Sequence, residues 1–145
     1  MWRTRLMVVD DDDDVANVVC HVAKSLDFNV ETATGVGAFD ACALFEPDVI
    51  VLDIFMPEID GFEVLRYLGQ AHKRTSIIIA SGKDDAFRDM AVRMCEQHGL
   101  TVLANLAKPF TISRLTAVLE EARNRHPLPL KWTPSERPHD FLDSA

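Results

Sequence analysis

The chain has 145 residues, 48% of them hydrophobic and 26% charged, with a formal charge of -8. These are the proportions of one globular domain, able to bury a core without metal or disulfide. No apolar run approaches the ~18–20 residues of a membrane span, and no cluster of Lys and Arg offers a surface for direct nucleic-acid binding. Met1-Trp2-Arg3 leads into a strand-like segment without a signal-peptide core, so a cytoplasmic protein with no membrane contact is expected.

In chain order, Leu6 to Val9 is a short aliphatic run, which predicts a strand covered on both faces. Asp10 to Asp14 follow it, five of the 23 acidic residues, so much of the acidity is local. Asp12, Asp13 and Asp14 stand where a helix N-terminus favours carboxylates. Val15, Val18, Val19, Val22, Ala23 and Leu26 then recur at the spacing of one helix face. Phe28 to Thr32 reads as a flanking strand, Ala38, Cys42 and Phe45 as a second helix, and Val49 to Leu52 as another buried strand. Val64, Leu65 and Leu68 mark a third helix, and Ile77 to Ala80 a further buried strand. Phe87, Met90, Ala91, Met94, Cys95 and His98 line a fourth helix, with Met90 and Met94 read as core and His98 as a partly buried structural residue. Thr101 to Leu106 is the other flanking strand, and Ile112, Leu115, Leu119 and Ala122 form the stripe of a fifth helix. Cys20, Cys42 and Cys95 occupy scattered helical positions, so no disulfide is expected. Pro127, Pro129, Pro134 and Pro138 interrupt any further helix. Residues 1–125 are therefore expected to form the domain and residues 126–145 a flexible, Pro-containing C-terminal tail.

Strand and helix alternate five times. Right-handed βαβ crossovers would wrap helices on both faces of a parallel sheet and bring the carboxyl ends of the strands to one edge. The fold class expected is α/β, a flavodoxin-like, doubly wound five-stranded parallel sheet of order 2-1-3-4-5. Polar residues end the strands: Asp10 and Asp11 the first, Asp53 the third, Ser81 the fourth, Lys108 the fifth. In that order the first and third strands flank the reversal of winding, where such sheets bind ligands. Three converging carboxylates repel and require a shared proton or a cation to remain ionised together. Magnesium suits them, being a hard ion held by carboxylates, waters and phosphate oxygens. A hydroxyl and an ammonium nearby would stabilise the oxygens of a phosphoryl group in transfer.

The segments Val8-Val9-Asp10-Asp11-Asp12, Pro47 through Asp53 to Pro57, Asp60-Gly61, Ile79-Ala80-Ser81-Gly82 and Lys108-Pro109-Phe110 stand in order at a familiar spacing. Over residues 5–125 the chain resembles the receiver (CheY-like) domain of a two-component response regulator. That resemblance implies that Asp53 accepts a phosphoryl group and that Mg2+ is held directly by Asp11, Asp53 and the Phe55 backbone carbonyl, with Asp10 acting mostly through water. It also implies that Ser81 and Lys108 bind the phosphoryl oxygens, that the Lys108–Pro109 peptide is cis, and that the chain is not a turnover enzyme although it assists its own phosphorylation and dephosphorylation. Phe55 and Lys83 fall at the two positions that tune water access in this family, and a bulky Phe55 is expected to slow loss of the phosphoryl group. Asn105 departs from the family, since it stands where receivers usually carry the aromatic switch residue.

The partners implied are a sensor histidine kinase or a histidine phosphotransfer protein, an unidentified output protein, and a second copy through the face of the fourth helix, fifth strand and fifth helix. With a short tail after the last helix, the chain is expected to act on a partner, to relay phosphate or to be a piece of a longer regulator. Two other readings compete. Asp11-x-Asp13-x-Val15 fits the first motif of haloacid-dehalogenase-like aspartyl phosphatases, although the acidic pair needed after the lysine is not evident. Asn105 would also suit a receiver-like interaction module that works without phosphorylation.

Overall fold

The aliphatic runs become the inner strands of a sheet, because side chains without polar atoms can be covered on both faces at no hydrogen-bonding cost. The computed structural model describes residues 3–72, 74–82 and 85–126. Its elements are β1 (Arg5–Val9), α1 (Asp13–Ser25), β2 (Asn29–Ala33), α2 (Gly37–Phe45), β3 (Val49–Leu52), α3 (Gly61–Ala71), β4 (Ser76–Ser81), α4 (Asp85–Gln97), β5 (Thr101–Ala107) and α5 (Ile112–Arg125). All four strand pairings are parallel and the order is β2-β1-β3-β4-β5. This is the CheY-like, flavodoxin-like α/β fold.

The period of two along each strand divides the interior into two layers. Leu6, Val8, Val49, Val51, Ile78 and Ala80 face one layer, with Val19 of α1 and Leu115 and Leu119 of α5. Met7, Val9, Ile50, Leu52, Ile77 and Ile79 face the other, with Cys42 of α2, Leu65 and Leu68 of α3, and Ala91 and Cys95 of α4. Every residue of β1, β3 and β4 is buried, whereas β2 and β5 at the sheet edges are mostly half-exposed. Cys20, Cys42 and Cys95 are free thiols.

Four residues read as facing the core do not, and one of them, Phe87 in the first turn of α4, is 38% exposed. Val18 and Met90 are 40% and 49% exposed. Each directly precedes the residue at the centre of its buried face, Val19 or Ala91, and so lies about 100° around the helix from it, on the flank. Ala16 of α1 and Arg88 of α4 take the covered positions instead. Ile112 is 63% exposed because it opens α5, beyond the edge of the layer that Leu115 begins. His98 is half-buried, as read, and packs so closely over α3 that a Cβ on Gly69 would come within 2.6 Å of its own Cβ.

Local chemistry sets the helix ends. Asp12 caps α1 by accepting from the amides of Asp14 and Val15 at 3.0 and 3.3 Å, Asp60 caps α3 through Phe62, and Thr111 caps α5 through Arg114. At the far end of α5, His126 is the C-cap. Its Nε2 lies 2.7 Å from Ser76 Oγ and its carbonyl accepts from Thr4 Oγ1 at 3.0 Å. Residues 127–145 of the expected tail lie outside the described residues. Among those described, no helix is long and apolar enough to cross a membrane.

The turn into α3 presses against the loop that follows β3. The Gly61 amide donates to the Ile54 carbonyl at 3.0 Å, and a Cβ at Gly61 would fall 2.5 Å from Ile54 Cα and 2.7 Å from its oxygen. Backbone cannot yield as a flexible side chain can, so Gly61→Ala is expected to cost about 1–3 kcal/mol of unfolding free energy. Gly37→Ala, which meets open space, is expected to cost none. Urea unfolding of the two variants beside the parent chain checks both.

Candidate functional site

The register of β1 against β3 pairs Val9 with Leu52, so the residues that follow, Asp10 and Asp53, leave the sheet side by side at its carboxyl edge. The Asp53 amide donates to the Val9 carbonyl at 2.9 Å and locks that juxtaposition. Carboxylate oxygens of Asp10, Asp11 and Asp53 all lie within 4.8 Å of one another. Asp10 and Asp53 are buried and Asp11 is exposed.

Lys108 comes to the same place from β5. Its amide donates to the Ser81 carbonyl at 2.9 Å, and its Nζ donates to Asp10 Oδ2 at 2.7 Å and to Asp53 Oδ2 at 3.3 Å. The Lys108–Pro109 peptide is cis. The remaining oxygens of the buried acids face backbone donors: Asp10 Oδ1 accepts from the Asp12 amide at 2.9 Å and Asp53 Oδ1 from the Phe55 amide at 3.0 Å. Each buried carboxylate thus divides its oxygens between the ammonium and an amide.

Burial pushes the Asp53 carboxyl above its ordinary pKa, the Phe55 amide and the Lys108 charge pull it back, and the neighbouring Asp10 charge adds to the rise; the net direction is upward. Burial alone would lower the Lys108 pKa, but the Asp10 hydrogen bond and the charges of Asp53 and Asp10 outweigh it and hold the ammonium above its usual value. Among the described residues, three formal negative charges meet one positive charge here. Every donor is a hard oxygen and one acid opens to solvent, a set that fits a hard divalent cation.

Ser81 ends β4, fully buried, beside Ala107 and one residue before Lys108 leaves the sheet. Phe55 forms an isolated bridge with Asp60 across the loop after β3, and its ring packs edge-to-face on Phe87 of α4, with centroids 4.8 Å apart at 82°. Asn105 pairs with Ile79 in the sheet, which places it on the layer of α2, α3 and α4. Its Oδ1 is buried and has no hydrogen-bond partner among the described residues. Lys83 lies outside the described residues. Asp12, Asp13 and Asp14 belong to the cap and first turn of α1 and not to the acidic cluster, so the haloacid-dehalogenase motif does not bring its second aspartate to the site.

Sequence reasoning missed the roles of two side chains of α4. Phe87 was read only as part of a buried stripe, yet its partner ring is Phe55; an aromatic two residues beyond Asp53 and another in the first turn of α4 were the signal. Arg88 is a buried arginine inside α4 that pairs with Asp85 one turn back, and no pattern of apolar spacing would have marked it.

Residues 6–120 match the family model of the response regulator receiver domain. Response regulator MprA of Mycobacterium avium (strain 104) is 37% identical over 119 residues, which cover 78% of this chain and 48% of that protein. The chain spans about half the length of the curated relatives it matches. Among solved structures, a response regulator from Colwellia psychrerythraea is 33% identical, with a TM-score of 0.73 over 86% of this chain and 99% of that one. Response regulator DrrB, a Thermotoga maritima OmpR/PhoB homologue, is 25% identical, with a TM-score of 0.69 over 86% of this chain and 54% of that one.

An acid whose pKa is raised by folding is more readily ionised in the unfolded chain, so its charge costs stability once the pH exceeds the ordinary carboxylate range. In the presence of a chelator, Asp53→Asn is expected to raise the thermal unfolding midpoint at neutral pH. The gain should shrink as the pH falls to where Asp53 is already protonated. Midpoints measured for both chains from acid to neutral pH check the sign.

Proposed function

This chain belongs to the response regulator receiver domain family, and from that premise we propose that Asp53 accepts a phosphoryl group from the phosphohistidine of a sensor histidine kinase or a histidine phosphotransfer protein. The observation that carries the reading is the buried Asp53 carboxylate, set among two other acids and bonded to the ammonium of Lys108. An Asp53 oxygen attacks phosphorus, the P–N bond to the donor imidazole breaks, and its electron pair returns to the ring nitrogen. Charge in such a transfer spreads over the equatorial phosphoryl oxygens. Lys108, already ionised and already aimed at the Asp53 carboxylate, pairs with one of those oxygens, and the Ser81 hydroxyl donates to another.

Asp11, Asp53 and the Phe55 carbonyl would hold Mg2+, with Asp10 acting mainly through a bound water. When bound it supplies the positive charge that the three acids and the incoming phosphoryl group lack. Asp53 is consumed once per phosphoryl group, so the chain acts as a stoichiometric acceptor and not as a turnover enzyme. We assign residues 1–125 to the receiver and residues 126–145 to a Pro-containing C-terminal tail, place the protein in the cytoplasm, and give the face of α4, β5 and α5 the task of engaging an output partner or a second copy. The half-length match to its relatives agrees with a receiver that works on a separate or additional output module.

The expected result of incubation with acetyl phosphate and Mg2+ is one phosphoryl adduct by intact mass on the native chain and none on Asp53→Asn. An adduct that persists in the variant moves the acceptor elsewhere. Steady turnover of a phosphate monoester, abolished by Asp11→Asn and untouched by Asp53→Asn, would instead favour the phosphatase reading. Phe55 presents an apolar ring and no group to orient water beside the acyl phosphate. Phe55→Asn is expected to speed decay of the phosphoprotein by roughly tenfold, measured by following the adduct after the phosphodonor is removed; an unchanged rate removes that role.

A further inference from the structure

Receivers need some part that tells their surface whether the aspartate is phosphorylated, and β5 here offers no ring for the task. Asn105 holds the relevant position with a buried Oδ1 that has no hydrogen-bond partner among the described residues. A continuous alternative lies on the other side of the site. Asp53 Oδ1 accepts from the Phe55 amide at 3.0 Å. The Phe55 ring meets the Phe87 ring at 4.8 Å, and Phe87 stands in the first turn of α4.

We propose that Phe87 is a positioning residue that couples the Asp53 loop directly to α4 through Phe55, in place of the aromatic missing from β5. The inference rests on Asp53 being the phosphoacceptor. Conversion of the Asp53 carboxylate to an acyl phosphate removes the carboxylate charge from the oxygens that hold the Phe55 amide, so that hydrogen bond weakens and the loop carrying Phe55 is free to settle elsewhere. The ring has room to do so. A groove of about 460 Å³ lies between the loop after β3 and α4, lined by Phe55, Met56, Pro57, Phe62 and Phe87 among others. An edge-to-face pair is strong enough to bias a two-state equilibrium by roughly two- to tenfold. Its geometry also makes it directional, because small rotations of one ring move the edge off the other's face. Phe87 is 38% exposed, so its replacement leaves the interior layers intact.

The test uses the full ¹⁵N-labelled chain with Mg2+ and beryllofluoride as the phosphoryl mimic, and reads backbone amide shifts. In the native chain, amides at Phe55, Ser81 and Lys108 and those along α4 are expected to move together. In Phe87→Ala and Phe87→Leu the site amides should respond as before while the α4 response falls about threefold or more; Phe87→Tyr, which keeps the ring edge, should restore it. A full α4 response in both the Ala and Leu variants overturns the relay alone. Absence of any site response in the native chain overturns the phosphoacceptor reading and the relay with it.

Discussion

Three carboxylates held within 4.8 Å define the problem that the rest of this protein solves. Two unit charges 4 Å apart repel by about 1 kcal/mol in water and by about 4 kcal/mol at the effective dielectric near a protein surface. A flexible chain would simply separate them. Here they cannot separate, because Asp10 and Asp53 leave adjacent strands whose residues are wholly buried, and because the Asp53 amide is bonded to the Val9 carbonyl. The interior layers on either side of the sheet thus supply the rigidity that keeps like charges together. Lys108 offsets part of the repulsion but not all of it, and the surplus negative charge is of the kind that a hard divalent cation would balance.

The loop after β3 has the opposite character. It carries Phe55 on an amide that shares the Asp53 carboxylate, crosses to Asp60 through one bridge, and rests against Gly61 where no side chain would fit. Ile54 and Ile59 pin its two ends in the interior layer, while Phe55 and Met56 between them are half-buried and Pro57 and Glu58 exposed. The fully buried strands β1, β3 and β4 and the half-exposed middle of this loop thus stand side by side at the acidic edge.

Much of this was legible from residues alone. Val49 to Leu52 is a strand with the bounds read from its aliphatic run, because buried parallel strands carry an unmistakable pattern. Edge strands are less well marked, and β2 lies one residue later than Phe28 to Thr32 because Phe28 turns into the core beside α1. Helix faces were legible at their centres and not at their flanks: Val18 and Met90 are apolar residues beside the buried stripe, and nothing in their spacing separates them from it. Convergence of Asp10, Asp11, Asp53 and Lys108 followed from strand order. The Phe55–Phe87 contact could not be read, since it depends on how far a loop and the first turn of a helix approach each other.

His126 carries a last implication, set by where two of its hydrogen bonds lie. Ser76 opens β4 and Thr4 precedes β1, so the end of α5 is fastened on the side opposite the acids, a five-residue strand or roughly 17 Å away. The last described residue is thus moored behind the sheet, with the whole length of β1 between it and the carboxyl edge.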